Sequence, residues 1–96
     1  MSKRATAAEQ RHMDRVAELG CILCKKIGAQ QFSKTDLHHI REGQGMAQRA
    51  SNWLVVPLCH DSCHQGPLGI HGDRTLLRIA KADELDLLAW TLAELA

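Results

Sequence analysis

"VVPLCHDSCHQGPLGIHG", residues 55–72, changes character partway along. Its opening residues are apolar and β-branched, the composition of a buried strand, and the same pattern reaches back to Trp53. Pro57 has no N–H to give a ladder, so this strand belongs at a sheet edge or ends there. From Cys59 onward cysteine, histidine and glycine take over. Gly66, Pro67, Gly69 and Gly72 exclude one continuous helix. A strand therefore runs straight into a loop dense in side chains that ligate metals.

A second strand candidate lies upstream, "DLHHI" at residues 36–40. Adjacent side chains on a strand face opposite ways, so His38 and His39 are expected to do different jobs. Between the two strands "REGQGMAQRASN", with Gly43 and Gly45, is longer than a hairpin needs. Helical patterns flank this hairpin, which spans 36–59. Thr6 and Glu9 have capping-box spacing for a helix over 6–19, with Met13, Val16 and Ala17 as its apolar stripe and Gly20 as its stop. "CILCKKIG" then sets two cysteines around a tight turn, and residues 28–35 read as polar linker. Asp73 suits the cap of a helix over 74–81. Asp83 suits the cap of another running to residue 96, with Leu85, Leu88, Leu92 and Leu95 along one face. Leu87 and Trp90 lie off that stripe, as core or as a dimer face. The expected fold is α+β, one small domain over 1–96.

Ninety-six residues bury a modest core, and this chain has only Trp53, Trp90 and Phe32 as large rings. Such a core needs a staple. Cys21-x2-Cys24 and Cys59-x3-Cys63 supply one, because each spacing lets both thiolates reach one tetrahedral ion. The expectation is a structural Zn²⁺ joining knuckles 21–24 and 59–63, with His60 or His64 as substitutes for one sulfur. The opening residues have no apolar h-region and no stretch is long enough to span a membrane, so the expected compartment is a reducing cytoplasm, where cysteine pairs favour metal over disulfide.

Charge is unevenly spread. Twelve Lys/Arg face seven Asp/Glu up to residue 81, whereas Asp83, Glu84, Asp86 and Glu94 follow with no base. A polyanion would prefer the body of the chain, although the excess is far below that of a protein that coats DNA.

Five of the six histidines fall between His38 and His71; His12 stands apart on the first helix and receives no role. If His38 faces one side of its strand, His64 and His71 can approach it from the loop across the hairpin. Three imidazoles with open positions would make a catalytic rather than a closed metal site. His39, on the other face, then suits a general base. A divalent ion beside an imidazole base is what phosphodiester hydrolysis requires.

Taken together, "RVAELGCILC", "DLHHI" and "VVPLCHDSCHQGPLGIHG" resemble the HNH, or ββα-metal, endonucleases, in particular small zinc-stapled phage and prophage members that include the Ref-type recombination-enhancement nucleases. The resemblance runs from about Met13 to Arg78. It implies a hairpin packed on a helix with one divalent ion, Mg²⁺ or another, at its mouth. It makes His38 and His64 ligands, His71 a third ligand or a phosphate contact, and His39 the base. The family's middle Asn would fall at Leu54, so either Asn52 orients His39 or a backbone carbonyl does. The long Gly-rich loop before His71 leaves His60 as that residue's competitor. DNA contacts are expected from Arg41, Arg49, Arg74 and Arg78, with Lys25 and Lys26 at the knuckle, and they would position a duplex with little sequence specificity. The Ref-type resemblance further implies dependence on a recombinase filament. The reading is thus a metal-dependent DNA endonuclease; its rival is a non-catalytic zinc module that binds nucleic acid or a protein. A thiol redox enzyme fits less well, since no βαβ pattern surrounds Cys21 and Cys24.

Overall fold

A computed structural model describes residues 4–43 and 51–96. Helix α1 (Ala7–Glu18) starts where the sequence signals it: Thr6 Oγ1 accepts from Glu9 N–H, and Glu9 returns the bond to Thr6 N–H at 2.8 Å. Val16 carries its buried face. The expected tight turn at the first cysteine pair is instead a short helix, α2 (Ile22–Ile27), because Cys21 itself caps it, its sulfur accepting from Cys24 N–H. Gly28 closes α2 in the left-handed conformation.

Strands β1 (Thr35–His39) and β2 (Val55–Cys59) pair antiparallel, His38 opposite Val56 and His39 opposite Val55. In a two-stranded sheet every strand is an edge, so Pro57 breaks no ladder on its outer side. All five residues of β2 are buried, with α1, α2 and α4 packed against that strand. The core is Leu23, Ile40, Val56, Leu58, Leu77 and Leu87, laid against the four cysteines. Phe32 and Trp53 stay outside it, so the expected shortage of large rings is real.

Beyond β2 the chain makes one π-helical turn, His60–His64, and then the glycine loop folds back over it. Ile70 N–H bonds Cys63 C=O at 2.8 Å and His71 N–H bonds His64 C=O at 3.2 Å, which sets His71 beside His64. This return needs Gly69: a Cβ there would stand 2.4 Å from Ser62 O and 2.6 Å from Cys63 O, both backbone atoms that cannot swing away. Gly69→Ala is accordingly expected to destabilise the protein by about 1–3 kcal/mol and to displace His71. Denaturant unfolding of the variant checks the first effect, and loss of divalent-ion affinity at unchanged thiolate-bound metal checks the second.

Helices α3 (Thr75–Ala80) and α4 (Glu84–Leu95) complete the fold. Asp73 does not cap α3 in the expected way. Arg74 occupies the cap position with φ 65°, and Asp73 reaches past it to Thr75 N–H. Asp83 does cap α4, with Asp86 answering in a capping box. The expected leucine face of α4 is corrected, however. Leu85 and Leu92 are half exposed, while Glu84, Leu87 and Thr91 are buried. Thr91 tolerates burial because its hydroxyl donates to Leu87 C=O. Trp90 packs partly against the core, under Lys26, whose Nζ lies 4.5 Å from the ring centroid. No helix among the described residues is long and apolar enough to cross a membrane.

Candidate metal centres and active site

Cys21, Cys24, Cys59 and Cys63 converge from α2, the end of β2 and the π turn, all buried and none in a disulfide. Cys24 Sγ lies 3.7 Å from Cys59 Sγ and 3.8 Å from Cys63 Sγ. A tetrahedron with metal–sulfur bonds of about 2.3 Å has edges of about 3.8 Å, so the spacing fits a tetrahedral ion. Four thiols packed this closely cannot all ionise by themselves. The Cys21 thiol is drawn down to about 5 by hydrogen bonding from Cys63, while burial and the neighbouring Cys21 charge push Cys24 up to about 12. A cation at the centre relieves that conflict. His60 and His64 do not substitute for a sulfur, since both turn to Asp36.

The second centre starts from β1. His38 is 3 % exposed, and its Nε2 lies 2.5 Å from Glu84 Oε2. His64 Nδ1 lies 2.8 Å from Asp36 Oδ2. Ionised carboxylates only accept, so these two ring nitrogens carry the protons. The other two nitrogens, His38 Nδ1 and His64 Nε2, then present lone pairs to each other across 3.3 Å. In those tautomers no hydrogen lies between the two nitrogens, and a cation placed there would engage both lone pairs. With bonds of about 2.0–2.1 Å to imidazole nitrogen, a shared ion gives just such a separation. The His71 ring adds a third donor, its centroid 5.0 Å from that of His38 and 4.8 Å from that of His64.

Both carboxylates are held ionised. Burial works to raise Glu84, but bonds from His38 and from Arg41 and Glu42 N–H outweigh it and lower the group. Asp36 is likewise opposed by burial yet lowered by His64 and His60. Burial lowers His38 despite Glu84, and lowers His71, favouring neutral rings in both.

His39 is less buried and ends β1. Its Nε2 lies 2.9 Å from Asn52 Oδ1, and Asn52 Nδ2 lies 3.3 Å from Glu9 Oε2. The acceptor Glu9 fixes which way the amide points, so the amide carbonyl accepts from His39 Nε2–H and Nδ1 is left on the side away from Asn52. Of the two ways to orient His39, the structure thus has the Asn52 side chain in place. His38 and His39 take different partners, Glu84 and His64 for the one and Asn52 for the other, in keeping with strand alternation. Both line one cleft of about 170 Å³ together with Leu37, Arg41, His64 and His71.

Arg41 also lines the neighbouring cleft of about 530 Å³, with Arg74, Arg78, Glu42, Asp83 and Glu84. Arg78 spends two donors within the fold, on Asp73 C=O and Thr75 Oγ1. Arg49 lies outside the described residues. Lys25 pairs with Glu94 at 3.1 Å and Lys26 covers Trp90, so both knuckle lysines have partners on α4. His12 packs on Trp53 and approaches its carbonyl at 3.1 Å.

Sequence reasoning passed over Asp36 and Glu84. Asp36 had a signal, since it stands two residues before His38 and strand alternation puts both on one face. Glu84 had none, being 46 residues from its histidine.

These features define a small α+β protein in which, among the described residues, three groups of side chains could hold a metal ion: Cys21, Cys24, Cys59 and Cys63; His38, His64 and His71; and Asp36, His60 and His64, which shares His64 with the second. The family model described as "Recombination enhancement, RecA-dependent nuclease" matches residues 5–82, and the chain belongs to that family. Neither a curated protein nor a solved structure gives a significant match.

Proposed function

We propose that the protein is a metal-dependent DNA endonuclease of the HNH type and phage or prophage origin, working in recombination beside a RecA-class filament in the cytoplasm, with residues 1–96 forming one nuclease domain. The observation that carries this reading is the 3.3 Å approach of His38 Nδ1 to His64 Nε2, beside His71 and with His39 in the same cleft but outside that donor group. The family's printed description supports nuclease activity and the filament.

In this reading Zn²⁺ sits among the four cysteines and stabilises the fold. A second divalent ion, Mg²⁺ or a relative, is held by His38, His64 and His71 and would supply charge to offset the developing phosphorane and leaving oxygen. His39 Nδ1 takes the proton from the attacking water, its ring held by Asn52. Arg41 and Arg74, with Arg78 and Arg49, contact the phosphates that flank the scissile bond and read little sequence.

Zinc-loaded protein incubated with supercoiled plasmid and with single-stranded circles, with and without filament, tests this. Cleavage is expected only when Mg²⁺ or Mn²⁺ is added, and EDTA should stop it at a dose that leaves thiolate-bound zinc in place. DNA binding without cleavage under every one of these conditions would support the non-catalytic zinc module instead.

A further inference from the structure

We infer that Glu84 and Asp36 are the positioning residues of the imidazole centre, each locking one ligand histidine in the tautomer and orientation that ligation needs. The inference rests on the proposal that His38, His64 and His71 share an ion, and it adds which groups aim them. Glu84 is the stronger case. It enters the site from the first turn of α4, beyond the family-matched span, and its side chain is 7 % exposed. Oε2 meets His38 Nε2–H, and the same carboxylate takes Arg41 N–H at 3.0 and 3.1 Å and Glu42 N–H at 2.9 Å. These two backbone donors fix the carboxylate, so the imidazole it holds cannot turn. Asp36 Oδ2 plays the same part for His64, and it accepts from His60 at 2.6 Å besides. His60 thereby braces Asp36, and Asp36, His60 and His64 also lie close enough to hold an ion of their own.

The chemistry demands a carboxylate in each place. An acceptor on the distal nitrogen keeps the proton there and raises the basicity of the ligating nitrogen. At position 84 an amide would turn one N–H toward donors, because both carboxylate oxygens are engaged by N–H groups. Glu84→Gln should then release His38 to rotate, and the site should lose affinity while its ligands remain.

Co²⁺ titrated into zinc-loaded protein, followed by visible absorption, is the probe; sulfur-to-cobalt bands report any exchange into the thiolate cluster. Glu84→Gln and, independently, Asp36→Asn are expected to weaken Co²⁺ binding at the imidazole centre by about 10–100-fold, with a changed ligand-field spectrum and the zinc content intact. Asp36 bonds only side chains, so its variant carries the test if Glu84→Gln fails to fold. Thr91→Ala serves as control: it removes a buried side chain two turns further along α4 and lowers stability while leaving the first turn and the Glu84 carboxylate in place, so Co²⁺ affinity should hold. Parental affinity in both carboxylate variants, or an equal loss in Thr91→Ala, overturns the inference. No Co²⁺ site outside the thiolates in the parent protein would overturn the underlying ion proposal instead.

Discussion

Cys63→Ser is expected to leave the protein without a cooperative fold. Metal binding in small thiolate domains contributes on the order of 10 kcal/mol or more to folding. A chain of this size has a total stability of about 5–15 kcal/mol. Losing one of four ligands therefore removes an amount comparable with the whole. The local packing points the same way, because the cysteines are not appended to the core but form part of it, in one cluster with Leu23, Leu58 and Leu77. Cys63 also precedes His64, and its carbonyl receives Ile70 N–H, so the imidazole centre should fall with it. Far-ultraviolet circular dichroism during heating, with metal content by mass spectrometry, checks the expectation. Prolonged dialysis of the parent against a strong chelator should reproduce the variant's behaviour. A sharp melting transition surviving in chelated, zinc-free protein would show that the cysteine cluster is not the staple.

The second large effect falls on activity and leaves the fold alone. His39→Ala is expected to reduce plasmid nicking by about 10²–10⁴-fold, the range for loss of a positioned general base. Among the described residues the side chain bonds Asn52, which is half-buried, so truncation frees an amide that water can serve. Stability and bound zinc should hardly move. Co²⁺ affinity should also be kept, since His39 is not among the three imidazoles that share donors. That combination separates a base from a ligand. Equal nicking by variant and parent, in Mg²⁺ or Mn²⁺, would remove His39 from the chemistry and leave the nuclease reading without its proton acceptor.

What the sequence disclosed was local. Capping boxes at Thr6 and Asp83 and the two cysteine pairs declare themselves through spacings of two to four residues, and both strands do so through composition. Helix α4 was misread for a physical reason. Two stripes run along it at helical spacing, and in the one richer in leucine Leu85 and Leu92 are half exposed while Leu88 packs against the edge of the core. The buried stripe contains Glu84 and Thr91, polar residues that burial tolerates because His38, Arg41 N–H and Glu42 N–H satisfy the one and Leu87 C=O the other. No periodicity can report such a partner. Likewise the bond from His39 to Asn52 comes from a residue ahead of the opposite strand, a partner that strand alternation alone does not contain.

Glu9 has a consequence for handling the protein. One carboxylate both locks the first turn of α1, through Thr6, and steers the amide that aims His39. Fraying of that turn, by a bulky fusion partner upstream or by proteolytic nibbling to residue 6, would reach the reaction centre without touching any residue in it. A preparation damaged in this way would still melt normally and still carry its zinc, yet turn over slowly.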